Sequence, residues 1–193
     1  PDYIFNTHHH WDHTDGNNAL AQEYDLKIIA PAAEKSKIGS IDVGLKDDSI
    51  FDFGDTSFKA IETKGHTQGH LCFWFDQEKI LFSGDMVFSL GCGSPIEGNA
   101  EDLFNSFQKL AFLPNDAIIY CGHEYTQKNA QFCLSINPDD KKILSRMDDI
   151  NHKCENNIPT IPTIMKLERE TNLFMRAQNL EEFQTLRDAR NKF

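Results

Sequence analysis

The chain has 193 residues, 39% of them hydrophobic, which is enough apolar material for one sizeable domain or one domain with a small appendage. A formal net charge of -11 argues against nucleic acid or an anionic membrane as partner, because both repel an acidic surface. No apolar run approaches the ~20 residues that span a bilayer, and five cysteines without CxxC pairing read as reduced thiols, so the expected location is the cytoplasm, with an organellar address left open.

Tyr3-Ile4-Phe5 is a short apolar run of the kind that forms a buried strand, and Asp15-Gly16 is a turn signal. The segment between them, THHHWDH from Thr7 to His13, therefore lies at a strand exit. In an extended chain His8, His10 and Asp12 fall on one side and His9 and Trp11 on the other, until the backbone bends and His13 turns toward a second centre. Imidazole nitrogens and carboxylate oxygens without thiolates suit zinc, iron or manganese in a catalytic rather than a closed structural site.

The same local pattern recurs downstream. Phe58 to Thr63 reads as a strand before Gly65-His66, Ile80 to Ser83 before Gly84-Asp85, and Ala117 to Cys121 before Gly122-His123. A glycine before each polar residue lets the backbone turn sharply and bring the side chain close to an ion. His8, His10, Asp12, His13, His66, Asp85 and His123 thus form a candidate two-metal hydrolytic site, with Asp12 and Asp85 as its catalytic carboxylates. One histidine after a strand is commonly just a hydrogen-bonded residue; the combination carries the reading. His9, facing away, His70, in a turn before the strand Leu71 to Phe75, and His152, on a polar helix face, are not expected to bind metal. Cys121, two residues before His123, is a candidate for supporting a ligand from behind.

Helical signals dominate after residue 124. Before that point Asn99 caps a helix carrying Leu103, Phe104, Phe107, Leu110 and Ala111 on one face, which Pro114 stops. Beyond it, Asn137-Pro138-Asp139-Asp140 predicts a helix with Pro138 at its first position and Ile143, Leu144, Met147 and Ile150 as the buried stripe. In the last helix Asn179 and Glu182 read as a capping box, and Leu180, Phe183 and Leu186 as the apolar stripe. Arg187 and Arg190 share a face and can grip carboxylates bidentately, or else form a solvated basic helix end favoured by the dipole.

THHHWDH, GHTQGH at Gly65 to His70, SGD at Ser83 to Asp85, GCG at Gly91 to Gly93 and CGHEYT at Cys121 to Thr126 resemble the metallo-β-lactamase superfamily. CGHEYT, together with NLFMR at Asn172 to Arg176 and the final LRDARNKF, is similar to the glyoxalase II branch, the hydroxyacylglutathione hydrolases. The resemblance implies an α/β fold, a four-layer αββα sandwich with a small helical carboxy-terminal domain. It divides the chain into a metal-binding domain at 1–123 and a helical substrate-binding domain at 124–193. By the same resemblance His8, His10 and His66 hold one metal, Asp12, His13 and His123 the other, and Asp85 bridges them. Tyr125, Arg187 and Arg190 match residues lining a glutathione pocket.

The implied reaction is hydrolysis of an S-2-hydroxyacylglutathione thioester, S-D-lactoylglutathione above all, as in methylglyoxal detoxification. Two divalent ions roughly 3.5–4 Å apart lower the pKa of a shared water to ~7 and polarise the carbonyl, while a thiol leaving group of pKa ~8.5 needs little protonation. Zinc is the expected metal, iron or manganese the alternatives, and a monomer is expected. The other readings are an iron-dependent persulfide dioxygenase, or another oxidative member of the superfamily, and an inactive truncated fragment.

The sequence also departs from the family pattern. After Gly91-Cys92-Gly93 the family places a basic residue and, two further on, an aromatic one, where this chain has Ser94-Pro95-Ile96; thiol-carrier specificity is therefore open. The family also places strands ahead of the first ligand segment, so the sequence is expected to be a fragment with one sheet incomplete.

Overall fold

The run Leu71 to Phe75 dictates the centre of the molecule, because its side chains are apolar on both faces. In the computed structural model, which describes residues 1–193, it is the strand β6 of a six-stranded sheet. Leu71 and Phe73 face one hydrophobic cluster, while Cys72 and Trp74 face another on the opposite side. Its partners are β4 (Ile50–Phe53), β5 (Thr56–Glu62), β7 (Ile80–Gly84), β10 (Ile118–Cys121) and β11 (Thr163–Ile164), in the order β11-β10-β7-β6-β5-β4. Only β7 and β10 run parallel, and their register slips between Tyr120 and Cys121, which brings Cys121 opposite Gly84.

A three-stranded parallel sheet of β1 (Tyr3–Phe5), β2 (Lys27–Pro31) and β3 (Val43–Leu45) covers one face of the large sheet. Between them Phe5, Phe51, Phe53, Phe58, Phe73 and Phe75 interlock, with ring pairs such as Phe5 and Phe58 edge-on at 5.2 Å. The helix α2 (Asn17–Tyr24) lies against β2 on the outside, after the short helix α1 (Trp11–Thr14), and α3 (Lys35–Ile38) follows β2. Beside β1 lies a cleft of about 500 Å³ lined by Phe82, whose ring stacks on Tyr120 at 5.4 Å.

The other face of the large sheet is covered by helices. They are α4 (Ala100–Lys109), α5 (Thr126–Ile136), α6 (Lys141–Glu155), α7 (Met165–Thr171), α8 (Leu173–Arg176) and α9 (Leu180–Lys192), with the hairpin of β8 (Val87–Phe88) and β9 (Gly91–Cys92) among them. The expected four-layer αββα arrangement is observed. A single cluster of 26 buried residues runs from Ile61 to Leu186, so side chains on both sides of residue 124 share one core, and α9 packs on α4.

Two helix boundaries and one capping box differ from the sequence expectations. The stripe ending at Leu110 and Ala111 leaves the α-helix at Lys109 and finishes as one 3-10 turn, Leu110–Phe112. Pro138 does not open α6: Asp140 is the cap, its Oδ1 accepting the N–H groups of Lys142 and Ile143, because a carboxylate satisfies two orphan donors and proline satisfies none. Asn179 caps α9 as expected, but the Glu182 carboxylate accepts the Gln178 N–H rather than completing the box at Asn179.

Beneath the hairpin, Glu168 is fully buried and fully engaged. Its Oε1 accepts from Arg146 and Thr163, and its Oε2 accepts from the Leu90 N–H at 2.8 Å and Asn172 Nδ2 at 3.0 Å. Leu90 holds a left-handed backbone with φ 57°, so the Glu168 carboxylate pins a turn that a leucine does not favour by itself. Glu168→Ala takes from the Arg146 cation its one carboxylate partner, leaving it only hydroxyl acceptors, and leaves the Leu90 N–H without a partner; it is expected to cost about 3–5 kcal/mol in urea unfolding, and a loss below about 1 kcal/mol contradicts this role.

Candidate metal centre

Each part of the site is delivered by a strand end. His8 and His10 follow β1, Asp12 and His13 lie in α1, His66 follows β5, Asp85 follows β7 and His123 follows β10. The strict alternation expected through Asp12 is corrected here. The chain turns into α1 at His10, and Thr14 Oγ1 stabilises the turn by donating to the His9 and His10 carbonyls at 3.2 and 3.1 Å. The helical turn brings the consecutive side chains of Asp12 and His13 to the same centre, a placement that an extended chain denies.

Two groups of donors result. His10 Nδ1 lies 3.1 Å from His8 Nε2 and 3.0 Å from His66 Nε2. His123 Nε2 lies 3.3 Å from His13 Nε2 and 3.2 Å from Asp12 Oδ2. The Asp85 carboxylate stands between the groups, with Oδ1 3.4 Å from His13 Nε2 and Oδ2 3.4 Å from His66 Nε2 and 3.3 Å from His123 Nε2. Close approach is possible because Gly122 has no side chain: a Cβ there would stand 2.4 Å from Asp85 Oδ1.

This arrangement fits divalent metal ions. His66 Nδ1 is 2.9 Å from the Ser94 carbonyl, which can only accept, so the proton sits on Nδ1 and the Nε2 lone pair faces the site. His10 Nδ1 carries at most one proton and meets two nitrogens, so lone pairs face one another in this group. Asp85 Oδ1 is buried without a hydrogen bond. The donor spacings of 3.0–3.4 Å match the ~3.4 Å edge of a tetrahedron with bonds of about 2.0–2.1 Å. Such a convergence of lone pairs is what a cation relieves.

Burial sets the charge states. It is the main cause that lowers the pKa of His8, His10 and His13, and it takes His66 down to about 4, so these rings are neutral and ready to ligate. Burial also pushes the Asp85 carboxyl up to about 6, against the pull of His123. A bound cation reverses that balance and holds Asp85 ionised. Burial raises the Cys72 and Cys92 thiols to about 12 and those of Cys121 and Cys133 to about 11, so none offers a thiolate. Cys121 contributes by donating to the His123 carbonyl at 3.5 Å.

Above the donors lies a cavity of about 360 Å³, walled by Trp11, Phe88, Ile96 and Tyr125, with Ser94 at its side. Trp11 and Ile96 are 77% and 61% exposed, and the Tyr125 ring stacks on His123 at 4.9 Å. Arg187 and Arg190 do not line this cavity. Arg187 is buried and spends its guanidinium on the Cys92 and Gly93 carbonyls at 2.9 and 3.2 Å and on Asn191, while Arg190 lies over Phe132 and Phe193 and donates to Asn129. With α9 packed inward on α4, Arg187 braces backbone carbonyls behind the site, while Arg190 holds the Asn129 side chain.

His9 points away from the two groups, as expected, and meets Glu34 and Glu97. His70, set aside as a turn residue, is wholly buried against Asp85. No periodicity signals it; the second histidine of GHTQGH is its only trace in the sequence.

Residues 1–123 match the family model of the metallo-β-lactamase superfamily, and residues 124–193 that of the hydroxyacylglutathione hydrolase C-terminus. The hydroxyacylglutathione hydrolase of Pelagibacter ubique is 41% identical over 191 residues, covering 99% of this chain and 80% of the relative. That of Rhizobium johnstonii is 45% identical over 175 residues, covering 91% of this chain and 68% of the relative. Among solved structures, ETHE1 from Myxococcus xanthus superposes with a TM-score of 0.68 at 20% identity, over 97% of this chain and 68% of that one. TTHA1623 in a di-iron-bound form gives 0.62 at 22% identity, over 90% and 77%. The fold, the converging histidines and aspartates and the match through the last helix together place this chain in the metallo-β-lactamase superfamily and, within it, among the hydroxyacylglutathione hydrolases, the glyoxalase II family.

Proposed function

We propose that the cavity above Asp85 hydrolyses S-2-hydroxyacylglutathione thioesters, S-D-lactoylglutathione first among them, with two divalent ions held by this chain. The observation that carries the reading is the Asp85 carboxylate within 3.4 Å of histidine nitrogens from both donor groups. His8, His10 and His66 would hold one ion, Asp12, His13 and His123 the other, and Asp85 would join them. When bound, such ions activate water at neutral pH and act as Lewis acids toward a carbonyl. Zinc suits the donor set, and iron and manganese accept the same ligands.

The chain supplies orientation and shielding. Asp12, partly exposed, lies at the cavity wall and is placed to accept a hydrogen bond from the attacking water. Trp11, Phe88 and Ile96 give the acyl group an apolar wall that excludes bulk water. Tyr125 stays protonated, since burial and the carboxylates of Asp85 and Asp12 raise its pKa, and it presents an O–H to the substrate. The leaving thiol, with a pKa of about 8.5, departs as thiolate without a strong proton donor. Residues 1–123 would carry the ions, while 124–193 supply Tyr125 and, through Arg187 and Arg190, a rigid backing to the pocket. A monomer in the cytoplasm is the simplest setting for this activity; no helix is long and apolar enough to cross a membrane.

Turnover of S-D-lactoylglutathione by the metal-loaded protein, with metal content measured, tests the reading. His66→Ala should lower kcat/KM at least about a hundredfold and reduce bound metal; a fully active variant would refute the ligand assignment. The cavity wall carries no cation, whereas glutathione carries carboxylates. Ser94→Lys should therefore lower KM for the glutathione thioester several-fold with kcat little changed, and an unchanged or raised KM would show that the carboxylates bind elsewhere.

A further inference from the structure

His70 is completely buried, and a chain of hydrogen bonds fixes the position of its proton. Its Nε2 lies 3.2 Å from the Asp85 backbone nitrogen, whose N–H can only donate, so Nε2 accepts and carries no proton. The remaining ring proton is on Nδ1 and is donated to Thr63 Oγ1 at 2.8 Å. Thr63 in turn donates to Cys72 Sγ at 3.3 Å, and the Cys72 S–H to the Ser83 carbonyl at 3.6 Å. Thr63, His70, Cys72 and Ser83 are all inaccessible to solvent, so water offers none of these groups a substitute partner.

The chain closes on itself. It begins at the Asp85 N–H and ends at the carbonyl of Ser83, two residues earlier, so it clamps both sides of Gly84. Gly84 has φ 49°, and a Cβ there would stand 2.7 Å from His70 Nε2 and 2.5 Å from Thr7 Oγ1; the ring occupies the space that the missing side chain leaves. His70 is itself fixed along the backbone, its carbonyl accepting the Thr63 N–H at 2.9 Å. Its ring also lies 5.1 Å from that of His8. The lone pair that faces Asp85 N–H is already in use, which is why His70 stands beside the donors and is absent from their groups.

We propose that His70 is a positioning residue: locked by Thr63 as its Nδ1–H tautomer, it accepts the Asp85 backbone N–H and so fixes the Asp85 carboxylate between the two donor groups. The proposal rests on the two-ion reading for its consequence and on the hydrogen-bond chain for its mechanism. Valine in place of Thr63 fills the same volume but cannot accept the hydrogen bond from His70 Nδ1–H. The Nδ1–H would then be buried without a partner, and moving it to Nε2 would set donor against donor at the Asp85 N–H.

The test uses the full chain, ring ¹⁵N shifts of His70, and Zn²⁺ affinity by chelator competition for wild type, Thr63→Val, His70→Ala and His70→Gln. The expected results are an unprotonated Nε2 in the wild type and Zn²⁺ binding at least about tenfold weaker in Thr63→Val and His70→Ala. The glutamine variant, whose carbonyl can accept the same N–H, should recover part of the loss. The double variant Thr63→Val/His70→Ala should be no weaker than His70→Ala alone, since both act through one contact. A protonated Nε2, or Zn²⁺ affinity within twofold of wild type in Thr63→Val, would overturn the proposal. If His70→Ala does not fold, the nearly isosteric Thr63→Val and the tautomer still decide it. Wild type that binds no Zn²⁺ would instead sink the two-ion reading, leaving the tautomer to decide the positioning role.

Discussion

The structure depends on one unfavourable concentration: five imidazoles and two carboxylates turned toward one another at 3.0–3.5 Å, with Asp85 at the junction and His8 and His66 cut off from solvent. Burial keeps His8, His10, His13 and His66 neutral, so these rings do not repel one another as cations, but their lone pairs converge with too few protons between them. Unrelieved, such a centre would relax outward. It stays together because each donor is fixed from behind by backbone that has somewhere else to be strong, and a cation is the partner that turns the arrangement into net stabilisation.

That backing comes from both halves of the chain. The central strand β6 buries side chains on both faces, fixing the strand ends from which His66 and Asp85 emerge. Gly122 permits the approach of β10 to Asp85, and the slip in register at Cys121 lets that strand end meet β7. On the helical side Glu168 secures the turn at Leu90, and Arg187 holds the carbonyls of Cys92 and Gly93 beside Ser94, whose own carbonyl orients His66. The helices that follow residue 124 therefore act on the ligands as well as on the pocket above them.

The sequence made the donor set legible because ligand chemistry is written in residue type. Histidines at alternate positions after a short apolar run, and a glycine before each later donor, identify the participants without any knowledge of the third dimension. What it did not disclose depended on tertiary partners. The bend at His10 comes from Thr14 reaching back to two carbonyls, which overrides strand alternation. Asp140 outcompetes Pro138 as a cap because its carboxylate satisfies two backbone donors. Arg187 looks like a surface cation until α9 is docked and the Cys92 and Gly93 carbonyls appear before it. His70 is similar: its function lies in a contact 15 residues away, between a ring nitrogen and a backbone N–H, and no local pattern encodes that.

The central claim is that Asp85 joins two ions rather than serving one. Loading the protein with Mn²⁺ and recording its electron paramagnetic resonance spectrum beside a metal count addresses that directly. Two Mn²⁺ per chain, with the multiline signal of an exchange-coupled pair that collapses to uncoupled Mn²⁺ in Asp85→Ala, is the predicted result. One ion per chain, or two ions with independent six-line signals in the unsubstituted protein, would contradict it.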